Sequence, residues 1–276
     1  MQVLLGLKAS PAAEQMEERL QYRPDVFEFY TTEEDMTSQG LKRLEEGVVR
    51  VQAVTKRIII HQPMRYHKVN YTELIAPEDY MPGLYRFIEE TTENLLRIAF
   101  DHDVQILVHG SYSRQVPEFL AQYRSLAAAR EVAMNRMDRF ARMGQDHIMF
   151  ENSISPIFFY GDSQMDRRIM THHWRLAFDT SHCFIHEHGS NERLAASLKR
   201  LAPQVVHYHL VDSMGLQHDS LPLGKGRIDW RQVMPLLNPQ ASYIYEIAMD
   251  DPDDSGPQRE SAAYLRRLFK LGLKKY

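Results

Sequence analysis

Residues 147–151 read HIMFE and residues 175–179 read RLAFD, two short runs of β-forming residues that each end in a carboxylate. Six further runs of this kind occur along the chain, and their central residues are nearly all apolar, as expected for parallel strands covered on both faces. The predicted strands are Val3–Leu7, Val26–Tyr30, Arg57–His61, Val104–His109, His147–Glu151, Arg175–Asp179, Val205–Leu210 and Ser242–Ile247.

Helix-like segments separate these runs. Residues 82–101 carry apolar side chains at a period close to 3.6, which is typical of an amphipathic helix. Pro117–Met143 is predicted as one helix whose arginines, Arg136 among them, lie on a solvated outer face. Asn191–Leu201 and Glu260–Leu271 are further predicted helices, the last followed by a short basic tail, LGLKKY.

Strands that alternate with helices form parallel sheets, and eight such units in about 250 residues close into a barrel. The sequence therefore predicts an α/β fold, a (β/α)8 TIM barrel, as a single domain over residues 1–276.

The composition is that of a folded globular protein, with 43% hydrophobic and 25% charged residues. No run approaches the roughly 18 apolar residues that span a membrane, and the opening MQVLLGLKAS is too short and too weakly apolar for a secretory signal. One cysteine, Cys183, excludes an intramolecular disulfide and a multi-cysteine zinc site. We therefore expect a cytoplasmic location and no membrane partner.

The net charge argues against a nucleic-acid partner, and the histidine content favours a metal site. The 33 basic and 37 acidic residues give a net charge of −4, which disfavours a nucleic-acid partner. Eight of the 13 histidines lie between His172 and His218. Neutral imidazole is a common ligand of divalent metals.

The predicted strands carry metal-binding or acid/base side chains at their carboxyl ends, the face on which barrel active sites lie. These residues are His61, His109, Glu151, Asp179, His209 and Glu246. Each has an ordinary alternative explanation, such as a helix N-cap for Asp179. Carboxylates grouped at a barrel mouth, however, repel one another and lose hydration, and a divalent cation removes that cost.

Four of these residues form the candidate metal site. They are Glu151, Asp179, His209 and Glu246. Their mixture of oxygen and nitrogen donors suits Mn, Co, Mg or Zn.

The chain resembles the xylose-isomerase-like TIM-barrel superfamily, which includes sugar phosphate isomerases and epimerases, ketose 3-epimerases and apurinic endonucleases. The resemblance covers Val3 to about Leu271. Its most specific pieces are FDTSH (178–182), HLVDS (209–213), LGKGRIDW (223–230) and YEI (245–247). The order and spacing of the four candidate ligands resemble the metal quartet of that superfamily.

The resemblance implies a divalent-metal-dependent isomerase or epimerase of carbohydrate metabolism, with a sugar or sugar phosphate as its small-molecule substrate. Glu151 and Glu246 would remove and return a proton on opposite faces of the substrate, while the metal stabilises an enediolate. A homo-oligomer is compatible with the resemblance.

Several polar residues are candidates for substrate binding. They are His61, His109, His182, Lys225 and Arg227, with Arg65, Lys68 and Arg114 as further phosphate-binding candidates. Glycines flank Lys225 and would let the backbone approach a ligand closely, although they would equally form a tight turn with no ligand.

One alternative is an endonuclease that acts on abasic-site DNA with a multinuclear zinc site. The candidate second-metal ligands are His61, His109, His182 and His218. The zinc cluster of that family needs an Asp-x-His pair after strand seven, where this chain has Gln-His218-Asp219-Ser. A polyol-ketone dehydratase and a non-catalytic barrel are the remaining alternatives, and the intact pair of Glu151 and Glu246 argues against the latter.

Overall fold

The computed structural model describes residues 3–113 and 115–272. Eight parallel strands, β1 to β8, form one sheet in which each strand neighbours the next along the chain. Their bounds are β1 Gly6–Ala9, β2 Val26–Tyr30, β3 Ile58–His61, β4 Gln105–His109, β5 Ile148–Glu151, β6 Leu176–Asp179, β7 Val205–Leu210 and β8 Ser242–Tyr245.

Helices connect the strands and cover the sheet. They are α1 Ala13–Leu20, α2 Ser38–Gln52, α3 Pro82–His102, α4 Val116–Leu120, α5 Leu126–Gly144, α6 Ser163–Thr171, α7 Thr180–His186, α8 Asn191–Leu201, α9 Trp230–Val233 and α10 Gly256–Gly272. Short 3-10 turns lie at Glu33–Met36, Gln145–His147 and Met234–Leu236. An antiparallel hairpin, Arg65–Tyr66 with Asn70–Tyr71, lies in the loop after β3.

The sheet is a nearly closed barrel, because β1 and β8 lie against each other. Tyr243 and Tyr245 of β8 hold the segment before β1: the Leu4 N–H donates to Tyr243 Oη (2.7 Å), and Tyr245 Oη donates to the Leu4 carbonyl (3.0 Å). At Gly6 the two backbones are so close that a Cβ would lie 2.0 Å from the Tyr243 carbonyl oxygen. The predicted (β/α)8 barrel is confirmed.

Side chains alternate between two cores, as they must in a strand with a period of two. A large outer core fills the space between strands and helices. A smaller inner core crosses the barrel interior, with one residue from each of six strands: Val26, Ile59, Leu107, Met149, Ala177 and Ile244.

Seven of the predicted strands have boundaries within two residues of the observed ones. The predicted position of the first strand was wrong. The predicted run Val3–Leu7 corresponds to β1 at Gly6–Ala9. Val3, Leu4 and Leu5 instead pack against the barrel core before the strand begins, so their apolar character reflects burial and not strand pairing.

The predicted helix Pro117–Met143 is two helices, α4 and α5. The second begins where the Ser125 side chain accepts a hydrogen bond from the Ala128 N–H, a standard N-cap. Arg136 does not lie on a solvated face: it is buried, donates to Glu89 (2.8 Å) and to the Leu74 carbonyl (3.3 Å), and so anchors the loop after β3.

Residues 273–276 of the predicted basic tail and Arg114 lie outside the described residues. In the ranges that the structure covers, no helix combines the length and apolar character needed to cross a membrane.

The contact at Gly6 leads to a stability prediction. Gly6→Ala would drive a methyl group into the backbone of β8, so we expect the free energy of unfolding in urea to fall by about 2 kcal/mol or more. Gly47→Ala on α2 is the control, because its Cβ would meet the Phe29 ring and Met16 Sδ at ordinary contact distances of 3.4 to 3.6 Å, and alanine favours the helix. Equal stability of Gly6→Ala and wild type would contradict the close β1–β8 contact.

Candidate functional site

The polar side chains at the barrel mouth form a layer two residues beyond the inner apolar core. Because inward-facing residues recur every second position, each apolar residue of the core is followed on its strand by a polar one. The pairs are Val26 and Glu28, Ile59 and His61, Leu107 and His109, Met149 and Glu151, Ala177 and Asp179, and Ile244 and Glu246. Lys8 follows Gly6 and His209 follows His207 by the same step.

Glu151, Asp179, His209 and Glu246 meet at the centre of this layer. One ligand atom of each lies within 4.8 Å of the others. His209 Nδ1 lies 2.9 Å from Glu151 Oε1 and 2.7 Å from Glu246 Oε2. Asp179 also accepts a hydrogen bond from the His182 N–H at 2.6 Å. Asp179 is therefore both the N-cap of α7, as one interpretation of the sequence had it, and a member of this cluster.

The donor set fits a divalent cation. His209 Nδ1 and both Glu151 carboxylate oxygens are buried without a hydrogen-bond partner of good geometry. An imidazole nitrogen that faces two carboxylates needs a positive charge, either its own proton or a metal ion. Without a metal, burial lowers the pKa of His209, but Glu151 and Glu246 outweigh burial and raise it well above its usual range.

Ionisation within the cluster is uneven. Burial raises the pKa of Glu151, but His109 and His209 hold it well below the usual range. Burial, with the negative charges of Glu151 and Glu246, raises the pKa of Asp179 to about 7. A proton on Asp179 and a metal on the same oxygens would therefore compete near neutral pH.

Two further histidines surround Glu151 on its other side. His109 Nε2 lies 2.9 Å and His61 Nε2 3.7 Å from Glu151 Oε2, and the three residues form a second group with ligand atoms within 4.8 Å. Burial lowers the pKa of His61, which favours the neutral imidazole that binds metals.

His182 and His218 lie beside the quartet. Their Nε2 atoms are 2.8 Å apart, and the two rings stack with centroids 4.9 Å apart. Burial lowers the pKa of both, so one neutral ring donates to the other. The structure thus brings the six predicted strand-end residues, His182 and His218 to one region of the barrel mouth.

Two charged residues of this layer, Lys8 and Glu28, were missed in the sequence. Lys8 forms an ion pair with Glu246, and its Nζ lies 3.1 Å from Glu28 Oε1. Burial lowers the pKa of Lys8, but Glu246 and Glu28 outweigh it and raise the pKa well above the usual range. The available signal was a charged residue two positions after an inward-facing one, as in Val26-Phe-Glu28.

A cavity of about 470 Å³ opens beside the cluster. Its lining combines Lys8 of β1, His61 of β3 and Glu246, which follows β8, with residues of the loops after β2 and β3. The loop residues include Thr31, Thr32, Glu33, Glu34, Met64, Arg65 and Lys68. The volume suits a small molecule.

Lys225 and Arg227 are exposed and lie outside the lining of this cavity. The turn that carries them is organised by the buried Asp212, whose carboxylate accepts from the backbone N–H groups of Ser213, Gly224 and Ile228 and from Trp230 Nε1. At Gly226 a Cβ would lie 2.3 Å from Asp212 Oδ1. The tight turn around Asp212 is therefore sufficient to explain why glycines flank Lys225. Phosphate binding by Lys225 and Arg227 stays a prediction.

Comparison with known proteins identifies the fold. Residues 163–268 match the model of the family described as xylose isomerase-like TIM barrel. No curated protein matches the sequence. The similar solved structures include a D-tagatose 3-epimerase-like protein, with a TM-score of 0.70, 17% identity and coverage of 99% of both chains.

Two more structures share the fold. The TTHB071 protein from Thermus thermophilus, in a ZnCl2 soak, has a TM-score of 0.65 and 18% identity over 97% of this chain and 98% of its own. The D-psicose 3-epimerase of Clostridium cellulolyticum H10, with D-tagatose, has a TM-score of 0.63 and 12% identity over 95% and 96%. At these identities the likeness shows the fold alone, and with the family match it confirms the resemblance seen in the sequence.

A buried carboxyl beneath the β4 loop is a separate feature. Glu73 is fully buried, accepts from Ser111 Oγ at 2.6 Å, and has no partner on Oε1 among the described residues. Burial raises its pKa to about 8. The group is therefore neutral in the folded protein at neutral pH.

Glu73 makes stability depend on pH. The folded state holds a proton on this group that the unfolded chain releases above its ordinary pKa of 4.5, so the stability from this proton is complete below pH 4.5 and is lost as the pH rises towards 8. We expect the unfolding free energy of wild type, minus that of Glu73→Gln, to fall steadily between those values. Glu78→Gln, an exposed change on the same loop, is the matched control. A flat difference for Glu73→Gln would show that the carboxyl ionises normally.

Proposed function

We propose that this member of the xylose-isomerase-like barrel superfamily is a divalent-metal-dependent isomerase or epimerase of a sugar or sugar phosphate. The observation that carries the proposal is the meeting of four ligand atoms, from Glu151, Asp179, His209 and Glu246, within 4.8 Å of one another beside a cavity of about 470 Å³. The fold shared with proteins named as ketose 3-epimerases supports the same chemistry.

The two glutamates are suited to proton transfer. Glu151 ends β5 and Glu246 follows β8, three strands further along the sheet, and one oxygen of each lies within 2.9 Å of His209 Nδ1. His209 helps to hold both carboxyls in the ionised form, and a carboxylate is the form that accepts a proton from carbon. A divalent metal held by the quartet would act as a Lewis acid towards a substrate oxygen.

Other residues bind and orient the substrate. Lys8 presents a fixed positive charge to the cavity next to Glu246, and its ion pair keeps that carboxylate in place. His61 lines the same cavity, with its Nε2 turned towards Glu151. The hydroxyls of Thr31 and Thr32 donate to the His61 carbonyl and to Asp35, so towards a sugar they can act as hydrogen-bond acceptors.

A specific observation favours the endonuclease as the second candidate. The group of His61, His109 and Glu151, and the facing nitrogens of His182 and His218, supply donors beyond those that one metal needs. The net charge of −4 opposes the binding of a polyanion such as DNA. We therefore rank it below the sugar isomerase or epimerase.

Metal content tests the proposal first. Protein purified without added metal or a chelating tag should carry about one Mn, Co, Mg or Zn per chain by elemental analysis. His209→Ala and Glu246→Gln should lose it because each removes a donor of the quartet, whereas Glu192→Gln, an exposed change on α8, should keep it. Two or three zinc ions per chain, with cleavage of abasic-site DNA, would favour the endonuclease. No metal after reconstitution would refute both.

Turnover tests the roles of the side chains. On a panel of ketoses and ketose phosphates in D2O, the wild type should exchange a carbon-bound proton with solvent. Glu151→Gln should lower kcat by about 10² to 10⁴, the range expected for an acid/base group. If the substrate carries a phosphate, Lys68→Ala at the cavity should raise KM for that substrate alone, while Lys199→Ala on α8 leaves KM unchanged. Full exchange activity in Glu151→Gln would rule out its acid/base role.

A further inference from the structure

Glu28 lies in the interior of the barrel and contacts three residues of the site. It sits in the middle of β2, is fully buried, and faces inward. Its Oε2 accepts a hydrogen bond from His209 Nε2 at 2.9 Å and lies 3.2 Å from His207 Nε2. Its Oε1 lies 3.1 Å from Lys8 Nζ. One carboxylate thus contacts both the candidate ligand His209 and the cavity-lining Lys8.

The contact with Glu28 determines which nitrogen of His209 carries a proton. An ionised carboxylate only accepts hydrogen bonds, so His209 Nε2 must donate. Nδ1 is then the nitrogen that faces Glu151 and Glu246, 2.9 and 2.7 Å away, where a metal ion would take the place of its proton. Without this acceptor for Nε2, the His209 ring could adopt either tautomer and could also rotate away from the quartet.

The same residues could instead hold a second metal, because ligand atoms of Glu28, His207 and His209 also lie within 4.8 Å of one another. One contact opposes this. Lys8 already supplies a positive charge 3.1 Å from Glu28. The carboxylate is therefore neutralised without a cation.

We propose that Glu28 is a positioning residue: its Oε2 fixes His209 with Nδ1 directed at Glu151 and Glu246, and its Oε1 fixes Lys8 at the cavity wall. This inference rests on the metal centre of the proposed function. A carboxylate behind a ligand histidine orients the ring and raises its basicity, and loss of such a partner weakens metal binding by about 10- to 100-fold.

Cobalt binding tests the proposal without any need for substrate. Wild type, Glu28→Gln and Glu28→Ala are titrated with Co²⁺, and the dissociation constant and visible spectrum are recorded. We expect a dissociation constant about 10- to 100-fold higher and an altered spectrum in both variants. Glu73→Gln is the matched control, because it also removes a buried carboxyl but does not contact His209, and it should bind Co²⁺ as wild type does.

A second measurement uses the wild-type protein and so does not depend on whether the variants fold. In the zinc-loaded protein with ¹⁵N-labelled histidine, one Nε2–H signal should be protected from exchange and absent in His209→Ala. Its presence, together with weaker binding in the Glu28 variants, supports the positioning role.

Three outcomes would overturn the inference. Co²⁺ binding by the Glu28 variants with wild-type affinity and spectrum would reject the positioning role and leave the metal centre standing. If His207→Ala loses one metal ion per chain and no protected Nε2–H signal is seen, then Glu28, His207 and His209 hold a second metal. Failure of the wild type to bind any metal would overturn the proposed function together with this inference.

Discussion

The burial of four carboxylates at one barrel mouth is the constraint on which the rest of the site depends. Glu28, Glu151 and Asp179 are almost fully buried, and Glu246 is mostly so. Uncompensated charges of this kind cost several kcal/mol each on removal from water. Lys8 compensates Glu28 and Glu246, imidazoles surround Glu151, and a divalent cation would neutralise what remains. The histidines around these carboxylates, His61, His109, His207 and His209, meet this demand, because imidazole can serve a carboxylate as a donor, as a cation or as a fellow ligand.

The strand geometry explains how one short chain gathers so many polar groups. With a period of two, an apolar residue that fills the barrel interior is followed by a side chain at its mouth. The apolar layer in the barrel interior excludes water and determines where along the strands the polar layer lies. His207 is the polar member at the level of the apolar layer, since it pairs in register with Ala177 of the inner core, and it contacts Glu28 from that level. The site is thus supported by the strands, and the loops contribute the cavity.

Much of this was predictable because apolar runs mark parallel strands, and the last residue of such a run stands out when it is polar. Glu151 and Asp179 end β5 and β6, so reading the strand ends located them. Lys8 was missed because the apolar segment 3–7 lies mostly before β1, and the strand was placed too early. Glu28 was missed because it lies inside β2 and not at its end. Pairwise contacts such as His182 with His218 need the folded loops and cannot be predicted from spacing.

The ion pair between Lys8 and Glu28 has a consequence for how this barrel can diverge. Neutralising Lys8 alone would leave Glu28 buried beside two histidines without its counter-charge. Neutralising Glu28 alone would leave Lys8 paired with Glu246, so the two positions are not equivalent. A homologue that lacks the charge at position 8 should therefore also lack the one at position 28, on the neighbouring strand, whereas the reverse need not hold.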